Sequence, residues 1–284
     1  IWLPISVLCA VAAKRIIMGR YEVGRHPVWG LYYVKNWLVQ RFVRLIPWGL
    51  IAGTEFQCMV LRLLGARIGR GVHIHKGVNL LSGGWDLLTI GDNVTLGRDA
   101  ALRLVDYVDK DLLLDTITLG EGATLETRAG VSGGGTVGVN GYVTALSCVG
   151  SKVAVPDGMR WHGVPGAVSG PAPEDLSVEK SEERQFTPVI HGLLFILYGR
   201  LIGLISALPF LAAGLFLIFG FGITTSVVND WLYASNSLWS IETLALLGIA
   251  VAGIVLQLPI LALTARMLGR VKPGIYPRLG KTLM

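Results

Sequence analysis

The sequence predicts a mixed architecture: a three-sided parallel β-helix in the middle of the chain, flanked by transmembrane and interfacial α-helices. Three observations carry this reading. Aliphatic residues return at every sixth position between Ile68 and Val155, long uncharged runs lie towards both ends, and a basic, aromatic-rich stretch leads into the repeat.

Composition sets the outer bounds. Hydrophobic side chains make up 52% of the 284 residues and charged ones only 15%, which excludes an ordinary soluble domain. The apolar residues gather at the ends, whereas residues 68–171 are rich in glycine, valine and polar side chains. The opening run ends at Lys14 and Arg15 with no charged leader or small-residue cleavage site, so it does not read as a signal peptide. Cys9, Cys58 and Cys148 are odd in number and far apart, suggesting neither a disulfide framework nor a zinc cluster.

Residues 189–222 read as a membrane entry and a transmembrane helix, with 201–222 free of charge, and 243–265 as a second span interrupted by Gln257 and Pro259. Residues 1–18 read as part of another. The intervening 223–242 contains Asp230 and Glu242 but no lysine or arginine, and its Trp231, Tyr233 and Trp239 suit an interface, so this loop is expected outside. Lys14, Arg15 and Arg20 after the first span, and Arg266, Arg270 and Lys272 after the last, mark the cytoplasmic side. The expectation is a multi-pass protein of the cell membrane with its β-helix in the cytoplasm. In 19–64, Trp29, Tyr32, Tyr33, Trp37 and Trp48 alternate with basic residues, as in helices lying in the headgroup layer of a bilayer. Beside membrane spans this basic charge points to lipid and not to nucleic acid.

A long-period repeat accompanies the spans. Gly19, Arg20, Gly24 and Pro27 recur in register as Gly269, Arg270, Gly274 and Pro277, so 266–284 reads as the start of a second unit.

The six-residue array runs through 65–170, with a linker at 171–188. Its aliphatic positions are Ile68, Ile74 and Leu80, then Ile90, Leu96 and Leu102, then every sixth residue from Leu119 to Val155. Glycine often follows the aliphatic residue and a small or β-branched one stands four places after it. The aliphatics would fill a prism, with glycine easing the tight corners. Two insertions break the period: 81–89, with Gly84-Trp85-Asp86, and 103–118, with Asp106, Asp109, Asp111 and Asp115. Insertions in a solenoid emerge on one face and commonly build a site, although a solvated acidic loop is an equal reading. His73 and His75 stand at alternating positions expected to face opposite ways; surface capping is their bland reading. His162 is expected to pack with Trp161, and Cys148 to be a filler.

The array, with its ending Val155-Pro156-Asp157-Gly158-Met159-Arg160-Trp161-His162-Gly163, resembles the left-handed parallel β-helix of hexapeptide acyltransferases. That resemblance implies acyl transfer, with catalysis near the second insertion, but this insertion carries carboxylates where those enzymes place a histidine. Gly19-Arg20-Tyr21, Pro27-Val28-Trp29-Gly30-Leu31-Tyr32-Tyr33 and Leu61-Arg62-Leu63-Leu64-Gly65-Ala66-Arg67-Ile68-Gly69, in tandem units with paired membrane helices, resemble the C-terminal region of the epsilon-poly-L-lysine synthetase family. The resemblance implies a membrane-bound unit of a non-ribosomal peptide synthetase. It would join amino acids, held as thioesters on the phosphopantetheine of a carrier domain, to a free amine. The adenylation and carrier domains would lie upstream, neighbouring β-helix units would form a pseudo-trimer, and this segment would bind no cofactor itself. An amino acid or cationic peptide would be the substrate.

Such a reaction needs a base for the amine proton and donors for the developing oxyanion. Asp86, Asp106 and Asp115 are the candidate bases, His73 the alternative, and the amides of Gly133, Gly134 and Gly135 the candidate donors. A coenzyme A-dependent O- or N-acyltransferase and a non-catalytic scaffold remain alternatives.

Overall fold

The computed structural model describes residues 2–75, 77–173 and 187–221, with scattered helical positions between 229 and 266. The chain forms two compact units, residues 1–182 with 186–192, and residues 183–185 with 193–284.

In the first unit, short parallel strands stack coil on coil into three sheets. The first face contains Arg67–Ile68, Leu88–Ile90, Ile117–Leu119, Thr136–Val137 and Ala154–Val155. The second contains His73–Ile74, Thr95–Leu96, Thr124–Leu125, Tyr142–Val143 and Met159–Gly163, and the third Ala101–Arg103, Gly130–Ser132 and Cys148–Val149. Partners are in register, with Ile90 beside Leu119 on the first face and Leu125 beside Val143 on the second. The prism interior is the six-residue aliphatic series, and Ile74, Leu96, Leu119, Leu125, Val131, Val143 and Val149 are all buried. Each such side chain contributes about 1.5–3 kcal/mol by leaving water. The small residues four places on, among them Val94, Ala100, Ala123 and Ala129, are buried in the same stack.

Glycine does ease the corners, but from three places after the aliphatic, where Gly71 (φ 67), Gly77 (φ 87), Gly122 (φ 67), Gly134 (φ 79) and Gly158 (φ 63) stand in left-handed backbone. On other coils a residue with a side chain takes the same position, at Asn93 (φ 57), Asp99 (φ 56), Arg128 (φ 57), Asn140 (φ 52), Leu146 (φ 60) and Lys152 (φ 58). The glycine directly after the aliphatic serves close stacking instead. A Cβ on Gly91 would meet Glu121 N at 2.7 Å, and one on Gly120 would meet Val139 N at 2.6 Å. Neighbouring coils leave no room there for a side chain.

Both ends of the prism are covered. On the first coil, Arg62 donates to the carbonyls of Ile68 (2.9 Å) and Gly69 (2.6 Å) and is held by Glu55 at 2.7 Å. On the last, the strand Gly166–Pro171 folds back antiparallel on Met159–Gly163.

The N-terminal 65 residues form helices α1 (Trp2–Ala13), α2 (Leu31–Arg44), α3 (Trp48–Ile51) and α4 (Glu55–Leu63), with a π-helical turn at Lys14–Met18 after α1. Helices α1 and α2 pack together, burying Val7, Ala10 and Val11 of one and Val39 and Val43 of the other. Their outer surface is apolar and exposed, with Trp2, Leu8, Leu31 and Trp37 open to the surroundings, as are Ile16 of the π-helical turn and Trp29 just before α2.

The second unit holds most of helix α5 (Pro188–Phe221). Its segment Pro188–Ala212 is long and apolar enough to cross a membrane, with a mean hydropathy of 1.9. This stretch begins well before the 201–222 read from the sequence. The linker core at 174–186, Trp231 and Trp239 of the expected external loop, and the returning repeat at 267–284 lie outside the described residues, as does much of the 243–265 span.

Candidate functional site

Both insertions leave the prism at one edge, where the third face passes into the first. The first insertion, after Leu80, turns through a short 3₁₀ helix, Trp85–Leu87. Trp85 is fully buried and its Nε1 donates to the Leu80 carbonyl at 2.7 Å. The second insertion is a β-hairpin, Val105–Val108 with Asp111–Leu114, and the N-terminal strand Gly24–Pro27 adds to it as a third antiparallel strand. Arg25 fastens this addition through Asp111 (2.6 Å) and Asp109 (3.4 Å). On the next coil the glycine-rich turn Ser132-Gly133-Gly134-Gly135 occupies the same edge. The edge is therefore the one place where the sequence-derived carboxylates and the glycine turn can meet.

The candidate residues fare differently there. Asp86 is locked: its Oδ2 lies 2.6 Å from Lys14 Nζ and accepts the Tyr21 backbone N–H at 3.0 Å. The Lys14 and Asp86 side chains are only 6% and 12% exposed. Tyr21 closes this knot, stacking edge-on against Trp85 and donating its hydroxyl to Asn36 Oδ1 at 2.8 Å. Burial first, then the neighbouring Tyr32 and Asp86, push its phenol well above the ordinary tyrosine range. Asp106 sits on the hairpin with one oxygen accepting the Tyr107 N–H at 2.9 Å.

Asp115 is the carboxylate that faces the glycine turn. Its Oδ1 accepts the Thr116 N–H at 2.8 Å, which orients the group. A Cβ on Gly134 would lie 3.0 Å from its Oδ2, and one on Gly133 would lie 2.9 Å from its Cβ. The glycines thus make room for Asp115. Two of the expected oxyanion donors are otherwise occupied, because Gly134 N donates to Thr116 O (2.7 Å) and Gly135 N to Ser132 O (2.9 Å). Lys152 also reaches this edge, its Cγ lying 2.9 Å from a Cβ on Gly134. Sequence reasoning missed this lysine, and the only signal was its place one coil beyond the glycine turn.

His73 lies elsewhere. It belongs to the second face, the one that does not border this edge, so within one prism it cannot reach Asp115. His73 and His75 flank the inward Ile74 and their rings touch at 5.5 Å. The expectation that they face opposite ways is corrected, because residues two apart in a strand share a side. His162 does not pack on Trp161 either: Trp161 points inward and donates to the Cys148 carbonyl, whereas the exposed His162 meets Thr144 Oγ1 at 2.9 Å through Nδ1. His26 stacks on Tyr32 with ring centroids 3.7 Å apart. Cys148 is half-buried against Ser132, as a filler would be.

The second face carries a further polar group. Tyr142 donates its hydroxyl to Glu126, whose other oxygen accepts the Ala145 N–H at 2.7 Å. Burial, then the bond to Glu126, push the Tyr142 phenol up to about 12. At the edge between the second and third faces, Arg98, Asp99 and Arg128 line an open groove of about 670 Å³.

Among known proteins, the chain is 28% identical over 182 residues to delta-poly-L-ornithine synthetase of Acinetobacter baumannii (strain AB307-0294). The match covers 64% of this chain and spans 13% of that relative's length. No family model matches. Solved structures with a similar course include a maltose O-acetyltransferase from Clostridium difficile 630, at 16% identity over 57% of this chain and 97% of that one, with a TM-score of 0.38. Others are a hexapeptide-repeat acetyltransferase from Vibrio cholerae O1 biovar eltor, complexed with acetyl coenzyme A, and a serine acetyltransferase from Neisseria gonorrhoeae. The former has 15% identity, covers 42% of this chain and 78% of its own, and gives a TM-score of 0.33. The latter has 15% identity, covers 64% and 71%, and gives 0.32. In sequence, the chain is thus similar to part of a polyamino acid synthetase.

Proposed function

We propose that this chain is an acyl-transferring, amide-forming enzyme unit bound to a membrane, with its prism wound left-handed and in the cytoplasm. It joins an amino acid held as a thioester to a free amine. The observation that carries the reading is the 182-residue similarity to delta-poly-L-ornithine synthetase. Helix α5 and the exposed apolar surface of α1 and α2, with the basic residues around it, support attachment to the bilayer.

The chemistry falls to the insertion edge. The amine nitrogen attacks the thioester carbonyl, the C–N bond forms and the C–S bond breaks. The ammonium proton passes to Asp115 and from there to the departing sulfur, so that a thiol leaves and the carboxylate is restored. Oδ1 is held by the Thr116 amide, which leaves Oδ2 to take the proton. Lys152, whose chain runs beside Gly134, is the cation assigned to the developing oxyanion. The donor's thiol is carried on phosphopantetheine of an upstream carrier domain. A second reading, coenzyme A as donor, is favoured by the two guanidinium groups on the Arg98–Arg128 edge, which suit phosphate. In either case His73 of this prism takes no part at Asp115, and a histidine at that edge would have to come from a neighbouring prism of the pseudo-trimer.

The test is aminoacyl transfer from an ornithyl thioester to ornithine, followed by mass spectrometry on the protein in uncharged detergent. Asp115→Asn should lower the rate at least a hundredfold, the scale of one general base, with unchanged thermal unfolding. Transfer at the wild-type rate would overturn the assignment.

A further inference from the structure

A second groove, of about 800 Å³, runs along the edge between the first and second faces, remote from the insertions. Asn93 and Thr95 contribute from one coil, Glu121 and Thr124 from the next, and Asn140 and Tyr142 from the third. The strand register places Thr95 beside Thr124 and Thr124 beside Tyr142. Each flanks an inward aliphatic, so the hydroxyls and the ring form one outward row. The chain after the closing strand walls the far end, where Ala172 N donates to Gly158 O at 2.7 Å.

The lining chooses among ligands. Hydroxyl and carboxamide groups repeat along the axis, and such groups pair with amides spaced along an extended chain. Among the described lining residues Glu121 brings a negative charge, it is exposed, and no lysine, arginine or histidine accompanies it. Arg160 stands beside Tyr142 on the closing coil, two coils beyond Glu121, so this cation lies at the far end of the groove, whereas the Arg98–Arg128 edge offers a phosphate two guanidinium groups. The groove spans four coils, from Asn93 to Gly158. With strands about 4.8 Å apart this is roughly 14 Å, and an extended peptide advances about 3.4 Å per residue, so about four residues fit.

We propose that this groove binds an extended cationic peptide of about four residues, its backbone amides along the Thr95–Thr124–Tyr142 row and a side-chain ammonium on Glu121. The inference rests on the aminoacyl-transfer reading for the role of that peptide, which is the growing chain.

The experiment is calorimetric titration of the protein, in uncharged detergent, with tetra-L-ornithine and with tetra-L-glutamate. Tetra-L-ornithine should bind, tetra-L-glutamate should not, and di-L-ornithine should bind more weakly than the tetramer. Glu121→Gln should weaken tetra-L-ornithine about fivefold, the scale of one exposed ion pair, and Thr95→Val with Thr124→Val should weaken it further. Asp99→Asn, the same charge change on another edge, should leave it unaltered. Unfolding curves check that each variant is folded. Equal affinity in wild type and Glu121→Gln, or equal losses in Glu121→Gln and Asp99→Asn, would overturn the groove even if Asp115→Asn abolishes transfer. Binding that depends on Glu121 in a protein whose transfer ignores Asp115 would keep the groove and remove the catalytic assignment.

Discussion

Replacing Asp86 by asparagine separates architecture from chemistry at the insertion edge. The side chains of Lys14 and Asp86 are 6% and 12% exposed and 2.6 Å apart, so neutralising Asp86 strands an ammonium in a place that water barely reaches. Removing one partner of a buried pair costs about 3–5 kcal/mol. Asparagine keeps an oxygen for the Tyr21 N–H; alanine forfeits that acceptor as well, adding about 1–3 kcal/mol. For a domain of this size each kcal/mol moves the midpoint by about 2–4 °C, so Asp86→Asn should unfold about 6–20 °C earlier. Trp85, buried beside Tyr21, gives the readout through its fluorescence. Because removing both charges relieves the stranded ion, Lys14→Met with Asp86→Leu should recover much of the loss. An unaltered midpoint in Asp86→Asn together with abolished transfer would refute this account and make Asp86 the base.

Two further outcomes follow from the prism itself. Gly120→Ala should destabilise by about 1–3 kcal/mol in urea titration, because its new methyl meets the next coil's backbone at 2.6 Å, whereas Gly150→Ala, whose nearest neighbour is Val153 Cγ2 at 3.5 Å, should be close to neutral. The Tyr142 phenol, raised to about 12 from 10.0, keeps its proton in the fold after the unfolded chain has lost it. Stability from this group is therefore full below pH 10 and lost as pH rises towards 12, and Tyr142→Phe should flatten that decline in midpoint measured by circular dichroism.

The interior was the most legible part of the sequence, since a side chain that must point inward every sixth residue imposes a period that survives any change of surface. The breaks in that period located both insertions for the same reason. What the period could not show was their common edge, which depends on counting faces and not residues. Nor could it show that Asp86 belongs to Lys14, since ion pairs distant in sequence leave no local mark. His73 and His75 illustrate a simpler limit, since two residues that flank an inward Ile74 share the outward side by strand parity alone. Of the candidate site, Asp115 and the glycine turn were found together because both lie on irregular segments, and Lys152 was hidden because it sits in an otherwise regular coil.

The lids at the two ends of the prism bear on how it meets other solenoids. A bare terminal coil offers a row of unpaired amides and carbonyls, a template on which another solenoid can grow without limit. Arg62 takes two carbonyls of the first coil, and the returning strand Gly166–Pro171 covers the second-face strand of the last. Head-to-tail growth into fibres is thereby opposed at both ends.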